Sequence, residues 1–377
     1  MNSVYKNIIY PLVISASTLL SAQYKISDSK ATVETQKLFE NLGKAQDKGY
    51  FVGHQDDLAY GVYWKYQNDR SDVKETIGDY PAVFGWELGD IELGKDKNLD
   101  GVPFDKMKQY IRDSYEKGGI ITISWHANNP ITGKNAWDFS NKSIKSIFPG
   151  RENHQKFVTY LDKVADFLAD LKGKNGEAIP IIWRPWHEHT GTWFWWGANS
   201  ASDEEYKELF RFTTDYFRKT KGLHNLILGY NTSIEFKNTE DFLKRYPGDE
   251  YVDMVSFDAY QRGSIDKGNE FAKNLDFWMQ TLDEVAKKQN KIPAIGEIGY
   301  NQIPDSKWFT EVLKPSIEKY KFSYVLFWRN AGFKPENNEV EYYLPFKGHS
   351  AEKDFMKFYK DEKTLFLKDA SNLKLYR

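Results

Sequence analysis

The feature that most constrains this chain is a repeated alternation of two patterns. Short, nearly continuous apolar runs recur at 50–53, 82–86, 120–125, 179–183, 226–230, 254–257, 294–295 with its flanks, and 324–328. Between them lie longer segments whose apolar residues recur at helical spacing, at 104–117, 156–171, 204–220, 271–288 and 305–320, and a further one at 30–45 precedes the first run. In 156–171, for example, Phe157, Leu161, Val164, Phe167 and Leu168 fall on one stripe of a helix. Strands without polar alternation are buried on both faces, as in a parallel sheet covered by helices. Eight such strands alternating with helices predict an α/β architecture, a (β/α)8 TIM barrel built as a single domain. A doubly wound open sheet is the alternative. No Gly-x-Gly-x-x-Gly follows the first run, which removes support for its dinucleotide-binding form.

The barrel is expected to occupy residues 23–377, with no packing assigned to the charged tail after about residue 361. Residues 1–22 read as a signal peptide. Lys6 supplies a positive start, 8–20 is an apolar run, and Leu20-Ser21-Ala22 is a small-residue cleavage context. Pro11 inside the run argues against a buried helix. The run also falls short of the roughly 20 apolar residues that a membrane span needs. A secreted or periplasmic protein without a membrane anchor is therefore expected. The 52 basic and 54 acidic residues leave a net charge of -2 with no one-sided block, which argues against nucleic acid as a partner. The chain has no cysteine, so disulfides, a thiol nucleophile and a zinc-thiolate site are excluded. A monomer without a cofactor is expected.

In a barrel of this kind, chemistry gathers where strands end and the following loops begin. Here the strand ends carry Gly53-His54-Gln55, Trp86-Glu87, Trp125-His126, Arg184-Pro185-Trp186-His187-Glu188-His189, Asp258-Ala259-Tyr260, Gly296-Glu297 and Trp328-Arg329-Asn330. Glu188 ends the fourth strand and Glu297 the seventh, so two carboxyl groups can face each other across the mouth. Glycosidic bond cleavage needs such a pair, one acid to protonate the leaving oxygen and one carboxylate to meet the oxocarbenium-like centre. A gap of about 5–5.5 Å gives retention through a covalent intermediate, and about 6.5–9.5 Å gives inversion. A metal reading competes, because strand alternation would point His187 and His189 the same way, with His54 and His126 as further ligands. The segment 190–197, Thr-Gly-Thr-Trp-Phe-Trp-Trp-Gly, holds three tryptophans in four positions. Its loop cannot bury them all, so at least one should present a face to the cleft, where sugars stack on aromatic rings. Trp125, Trp137 and Trp328 are further stacking candidates.

Together these segments resemble glycoside hydrolase family 26, of the clan of barrel glycosidases with glutamates on strands four and seven. The run 183–197 is similar to that family's acid/base signature, and Gly53-His54-Gln55, Ser124-Trp125-His126, Phe257-Asp258-Ala259-Tyr260, Ile295-Gly296-Glu297-Ile298-Gly299 and Trp328-Arg329 follow in the expected order. The resemblance implies Glu188 as acid/base and Glu297 as nucleophile, with retention. It implies that Tyr260 bonds Glu297, that His187 and Arg184 shape the surroundings of the pair, and that His126, Trp193 and Trp328 line the subsite of the attacked sugar. Arg329 and Trp137 are weaker transfers. The implied substrate is β-mannan or a related plant polysaccharide; mixed-linkage β-glucan and β-1,3-xylan stay open, as does a non-catalytic barrel that binds polysaccharide.

Overall fold

The computed structural model describes residues 24–335 and 337–377, so the expected signal segment at 1–22 lies outside the described residues. Eight parallel strands close on themselves: β1 (Tyr50–Gln55), β2 (Val83–Glu87), β3 (Ile120–Trp125), β4 (Ile181–Pro185), β5 (Leu226–Thr232), β6 (Met254–Gln261), β7 (Ile292–Tyr300) and β8 (Tyr324–Phe327). Each pairs with its successor, and β8 returns to β1 with Phe51 opposite Tyr324 and His54 opposite Phe327. All strand residues but Tyr260 are buried, as the unbroken apolar runs require. This is the predicted (β/α)8 TIM barrel, one domain over the described chain.

The helices follow the sequence stripes. In chain order they are α1 (Val33–Ala45), α2 (Asp72–Ile77), α3 (Phe104–Glu116), α4 (His154–Asp170), α5 (Asp203–Asp215), α6 (Thr239–Leu243), α7 (Gly268–Gln289), α8 (Lys314–Ile317), α9 (Glu352–Tyr359) and α10 (Leu367–Leu373). In α4 the predicted stripe, joined by Tyr160 and Ala165, is the buried face. Helix α5 opens on a capping box: the Ser202 hydroxyl accepts from the Glu205 N–H and the Glu205 carboxylate accepts from the Ser202 N–H. The stretch predicted as one helix to residue 220 changes to a π turn at Tyr216–Thr220.

The two ends of the barrel are built differently. At the N-terminal end, Phe51, Val83, Ile120, Ile182, Ile227, Met254, Ile292 and Tyr324 form an apolar floor. Helix α1 seals it with Leu38, Phe39, Leu42 and Ala45. Full burial of each larger side chain contributes about 1.5–3 kcal/mol. The tail packs at this same end. Thr364–Leu365 (β11 once the hairpin strands below are counted) lies parallel to β1, with Tyr50 opposite Thr364. Leu375 is buried, and the Tyr376 hydroxyl donates to the Gly119 carbonyl. At the C-terminal end a small antiparallel hairpin, β9 (Gly332–Lys334) and β10 (Glu339–Glu341), rises beside the mouth. Among the described residues no helix is long and apolar enough to cross a membrane.

Candidate active site

The C-terminal mouth opens into a cleft of about 770 Å³. Glu188, Glu297, His126, Trp137, Trp193, Tyr260 and Trp328 all line it. Seven of the ten residues singled out from the sequence thus meet in one place, brought there from β3, β4, β6, β7, β8 and their loops.

Glu297 sits within β7, just after an irregularity in pairing. Phe257 lies opposite Ile295, but the next residue, Asp258, lies opposite Glu297, so Gly296 is the extra residue of a bulge. No other residue fits at 296, because a Cβ there would come within 1.9 Å of Asn231 Oδ1 and 2.5 Å of Asp258 Oδ1. Each carboxylate oxygen of Glu297 has its own donor. Arg184 Nη2 donates to Oε1 at 3.0 Å, and the Tyr260 hydroxyl donates to Oε2 at 2.7 Å. Arg184 stands behind the carboxylate from inside β4, fully buried, and also lies 3.6 Å from Asp258. A charged arginine held between two acids in a dry site is the strong form of such a contact.

Glu188 is held in another way. Strand β4 ends at Pro185, and the chain then takes a sharp turn in which Trp186 and Glu188 both adopt positive φ, 55° and 52°. Left-handed backbone at a non-glycine residue is strained and is kept only where its surroundings enforce it. The Glu188 N–H donates to the Asn231 carbonyl at 2.9 Å, and Trp193 Nε1 donates to the carboxyl Oε2 at 2.7 Å. Burial, and next the negative Glu297, push the Glu188 carboxyl up to about 7, against the Trp193 bond and His126. Two carboxyl groups in one cleft thus have opposite supports: Glu297 has a cation and a phenol, Glu188 one indole and an acidic neighbour.

Next to the pair runs a chain of buried polar groups. Glu87, at the end of β2, accepts from the N–H groups of Gly89 and His126, each at 2.6 Å, and from the Ser124 hydroxyl at 2.7 Å. Its Oε2 also meets His126 Nδ1 at 2.8 Å, and His126 Nε2 lies 3.2 Å from His187 Nε2. Burial works against protonation of His126, but the carboxylates of Glu87, Glu297 and Glu188 together outweigh it and hold the imidazole above its ordinary value. His187 is held well below its ordinary value by burial, then by His126 and Arg184. Trp137 stacks on the His126 ring, with ring centroids 5.2 Å apart at 16°.

The family-model comparison bears on this geometry directly: the model described as Glycosyl hydrolase family 26 matches residues 27–341. The chain belongs to that family. It is 35% identical over 365 residues to a mannan endo-1,4-beta-mannosidase of Bifidobacterium adolescentis, covering 90% of this chain and 35% of that protein. It is 26% identical over 316 residues to endoglucanase H of Acetivibrio thermocellus, covering 81% of this chain and 30% of that one. Among solved structures, a GH26 beta-mannanase from Bacteroides ovatus superposes with a TM-score of 0.87 at 44% identity, covering 92% of this chain and 98% of that one. The chain spans about a third to three-fifths of the length of the curated relatives it matches first.

Within this family 26 barrel, the three remaining candidates stand behind the cleft. Arg184 and His187 lie beneath the carboxylates as described. Arg329 does not itself line the cleft but holds groups that do: its Nε donates to Glu341 Oε1 at 2.7 Å, its Nη1 pairs with Asp100, and its guanidinium carbon lies 5.7 Å from the centre of the Trp328 ring. Of the tryptophan-rich loop, Trp193 reaches the cleft, whereas Trp195 and Trp196 are fully buried and bond the carbonyls of Ala127 and His187. Trp125 is fully buried too. The four histidines considered for a metal do not converge. His54 pairs with Asp57 at 2.7 Å, and His189 lies between Tyr206 and Tyr230, ring centroids 4.1 and 4.6 Å away. Alternation misplaced His187 and His189 because both follow the end of β4, inside the turn. His187, Asp258 and Glu297 do place ligand atoms within 4.8 Å of one another. Arg184 already supplies positive charge to both of those acids.

Sequence reasoning gave no role to Glu87, Asp258, Asn231, Glu235, Arg262 or Tyr343. Glu87 and Asp258 were visible as strand-end acids, and reading every such acid as a partner for a neighbouring His or Arg would have found them. Both oxygens of Asp258 lack a hydrogen-bond partner. Burial and then Glu297 push its carboxyl well above the ordinary range, against the pull of Arg184. Glu235, Arg262 and Tyr343 line the cleft from loops and carried no sequence signal.

Proposed function

We propose that this family 26 protein is a retaining glycoside hydrolase that cleaves β-1,4-mannosidic bonds in mannan, galactomannan or glucomannan. The observation that carries the reading is the pair itself: Glu297 with a donor on each oxygen, and Glu188, with its carboxyl pushed up to about 7, in the same cleft. In the first step Glu297 attacks the anomeric carbon while protonated Glu188 gives its proton to the departing oxygen. The product is a glycosyl ester on Glu297. In the second, ionised Glu188 takes a proton from water, and that water attacks the same carbon and frees Glu297. Net configuration is retained. Tyr260 and Arg184 hold the nucleophile, and Trp193 orients the acid/base. Trp137 and Trp328 supply walls on which sugar rings stack, and His126 lines the same subsite. The family relatives named as mannan-cleaving support the sugar assignment. The likeness to endoglucanase H keeps a β-glucanase as the second reading.

Incubation of the purified chain with mannan, barley mixed-linkage glucan and β-1,3-xylan, followed by reducing-end release, tests this. Fast release from mannan alone is the expected result. Release from another glycan alone would keep the chemistry and overturn the substrate. Silence on all three would overturn both, and would favour a barrel that only binds polysaccharide. Export rests on the pattern of residues 1–22, with cleavage after Ala22. Mass spectrometry of the exported protein, starting at Gln23, checks it. The protein acts as a monomer, which light scattering checks.

A further inference from the structure

The turn that carries Glu188 has a complete set of partners for its carbonyls, and one partner comes from far along the chain. The Trp186 carbonyl accepts from the Tyr206 hydroxyl at 3.1 Å, the His187 carbonyl from Trp196 Nε1 at 2.9 Å, and the Glu188 carbonyl from the Gly191 N–H at 2.9 Å. The His189 carbonyl accepts from Arg245 Nη1. Arg245 follows α6 and is buried. The same guanidinium reaches the other end of the loop. Nη1 also donates to the Trp196 carbonyl at 3.4 Å, and Nη2 donates to the carbonyls of Ala201 at 2.5 Å and Ser202 at 3.3 Å. Its plane lies over the Tyr206 ring, 4.6 Å from the centre. One cation thus ties residue 189 to residues 196, 201 and 202, closing the loop that holds both Glu188 and its indole donor Trp193.

We propose that Arg245 is a positioning residue for the acid/base step: it fixes the strained turn so that the Glu188 carboxyl meets the glycosidic oxygen. Three features make this more than packing. First, buried arginines ordinarily face carboxylates, yet this one spends four bonds on backbone carbonyls. The nearest acid, Asp203 Oδ1, is 3.4 Å from Nε and half exposed. Second, only a planar fork reaches carbonyls at both ends of the loop, so lysine, a single point of charge, cannot replace it. Third, positive φ at Trp186 and Glu188 needs outside support, and the His189 carbonyl is the first after the strained pair. Arg245 touches no substrate and acts only through the loop.

This inference rests on Glu188 being the acid/base, and the test separates the two. Arg245→Lys, Arg245→Gln and Glu188→Ala are assayed as folded proteins on mannan and on a dinitrophenyl β-mannobioside, whose leaving group departs without a proton. For Glu188→Ala, kcat/KM should collapse on mannan and survive on the aryl glycoside. If it does not, the acid/base reading itself fails. For the Arg245 variants, kcat/KM on mannan should fall by about tenfold or more, a part of what general acid catalysis contributes, while the aryl glycoside value stays within about twofold. Added azide, a nucleophile that needs no base, should restore aryl glycoside kcat in these variants. Equal losses on both substrates, or no loss on mannan, would mean that Arg245 only stabilises the barrel and would overturn the proposal. So would failure of both variants to fold.

Discussion

The ends of β4 and β7 each deliver one carboxyl group to the same cleft, and they do so by opposite means. At β7 the strand continues through the site: Glu297 lies inside Ile292–Tyr300, aimed by a single bulge and met by two side-chain donors. At β4 the strand has stopped, and Glu188 lies on a turn with left-handed residues, held by loop contacts and one indole. The difference matches what the two groups would have to do. A nucleophile works from one place in one charge state, so a rigid strand and fixed donors suit it. An acid that becomes a base must carry the proton in one step and lose it in the next. That asks for a site with no strong cation, where the proton is nearly as stable on as off near neutral pH.

Five variants and the wild-type pH profile would break or sharpen this contrast. The largest effect is expected for Glu297→Ala. Turnover of polysaccharide should fall by about 10⁴-fold or more, as when an activated nucleophile is removed, with an unchanged circular dichroism spectrum. Near wild-type rates would end its assignment. Glu188→Ala comes next, with a loss of about 10²- to 10⁴-fold, the range of general acid–base catalysis, and with the alkaline limb of the pH profile gone. Tyr260→Phe removes one hydrogen bond to a carboxylate, worth about 1.5–3 kcal/mol. That corresponds to roughly 10- to 150-fold in kcat at 1.36 kcal/mol per tenfold, with KM nearly constant.

The smallest effects are shifts of pH dependence. With the Glu188 carboxyl at about 7, wild-type kcat/KM should decline as pH rises through that value, because the acid form is lost. Trp193→Phe removes a donor that favours the charged form, so the alkaline limb should move to higher pH. Glu235→Gln removes a negative charge that favours the protonated form, so the limb should move slightly lower. Shifts of the same sign in both, read from full pH profiles, would contradict the electrostatic account.

The sequence made the barrel legible wherever burial alone sets composition. The third strand, 120–125, was readable to the residue because all six of its residues are buried and only the small Thr122 and Ser124 break its apolar run. The seventh was visible only as 294–295 with undefined flanks, although it spans nine residues. The groups that serve the site, Gly296 and Glu297, interrupt its apolar run and hide it. The same cause works in reverse at Glu188 and Glu297, which stood out because two acids at the ends of the fourth and seventh strands can face each other across the mouth. Partners remote in sequence stayed invisible. Nothing near Arg329 announces Asp100 or Glu341, and nothing in the tail announces the pairing of Thr364 with Tyr50. His189 looked like a ligand because alternation was carried past the end of a strand.

The apolar seal formed by α1 also has a practical side. Tyr24 and Ile26 at one end of the described chain, and Leu375 and Tyr376 at the other, pack on the same cluster as that helix. Both ends of the described chain therefore leave from the face opposite the cleft. A surface, a resin or a second protein fused at either end would sit behind the barrel, with the mouth pointing outward and free to receive a long polymer.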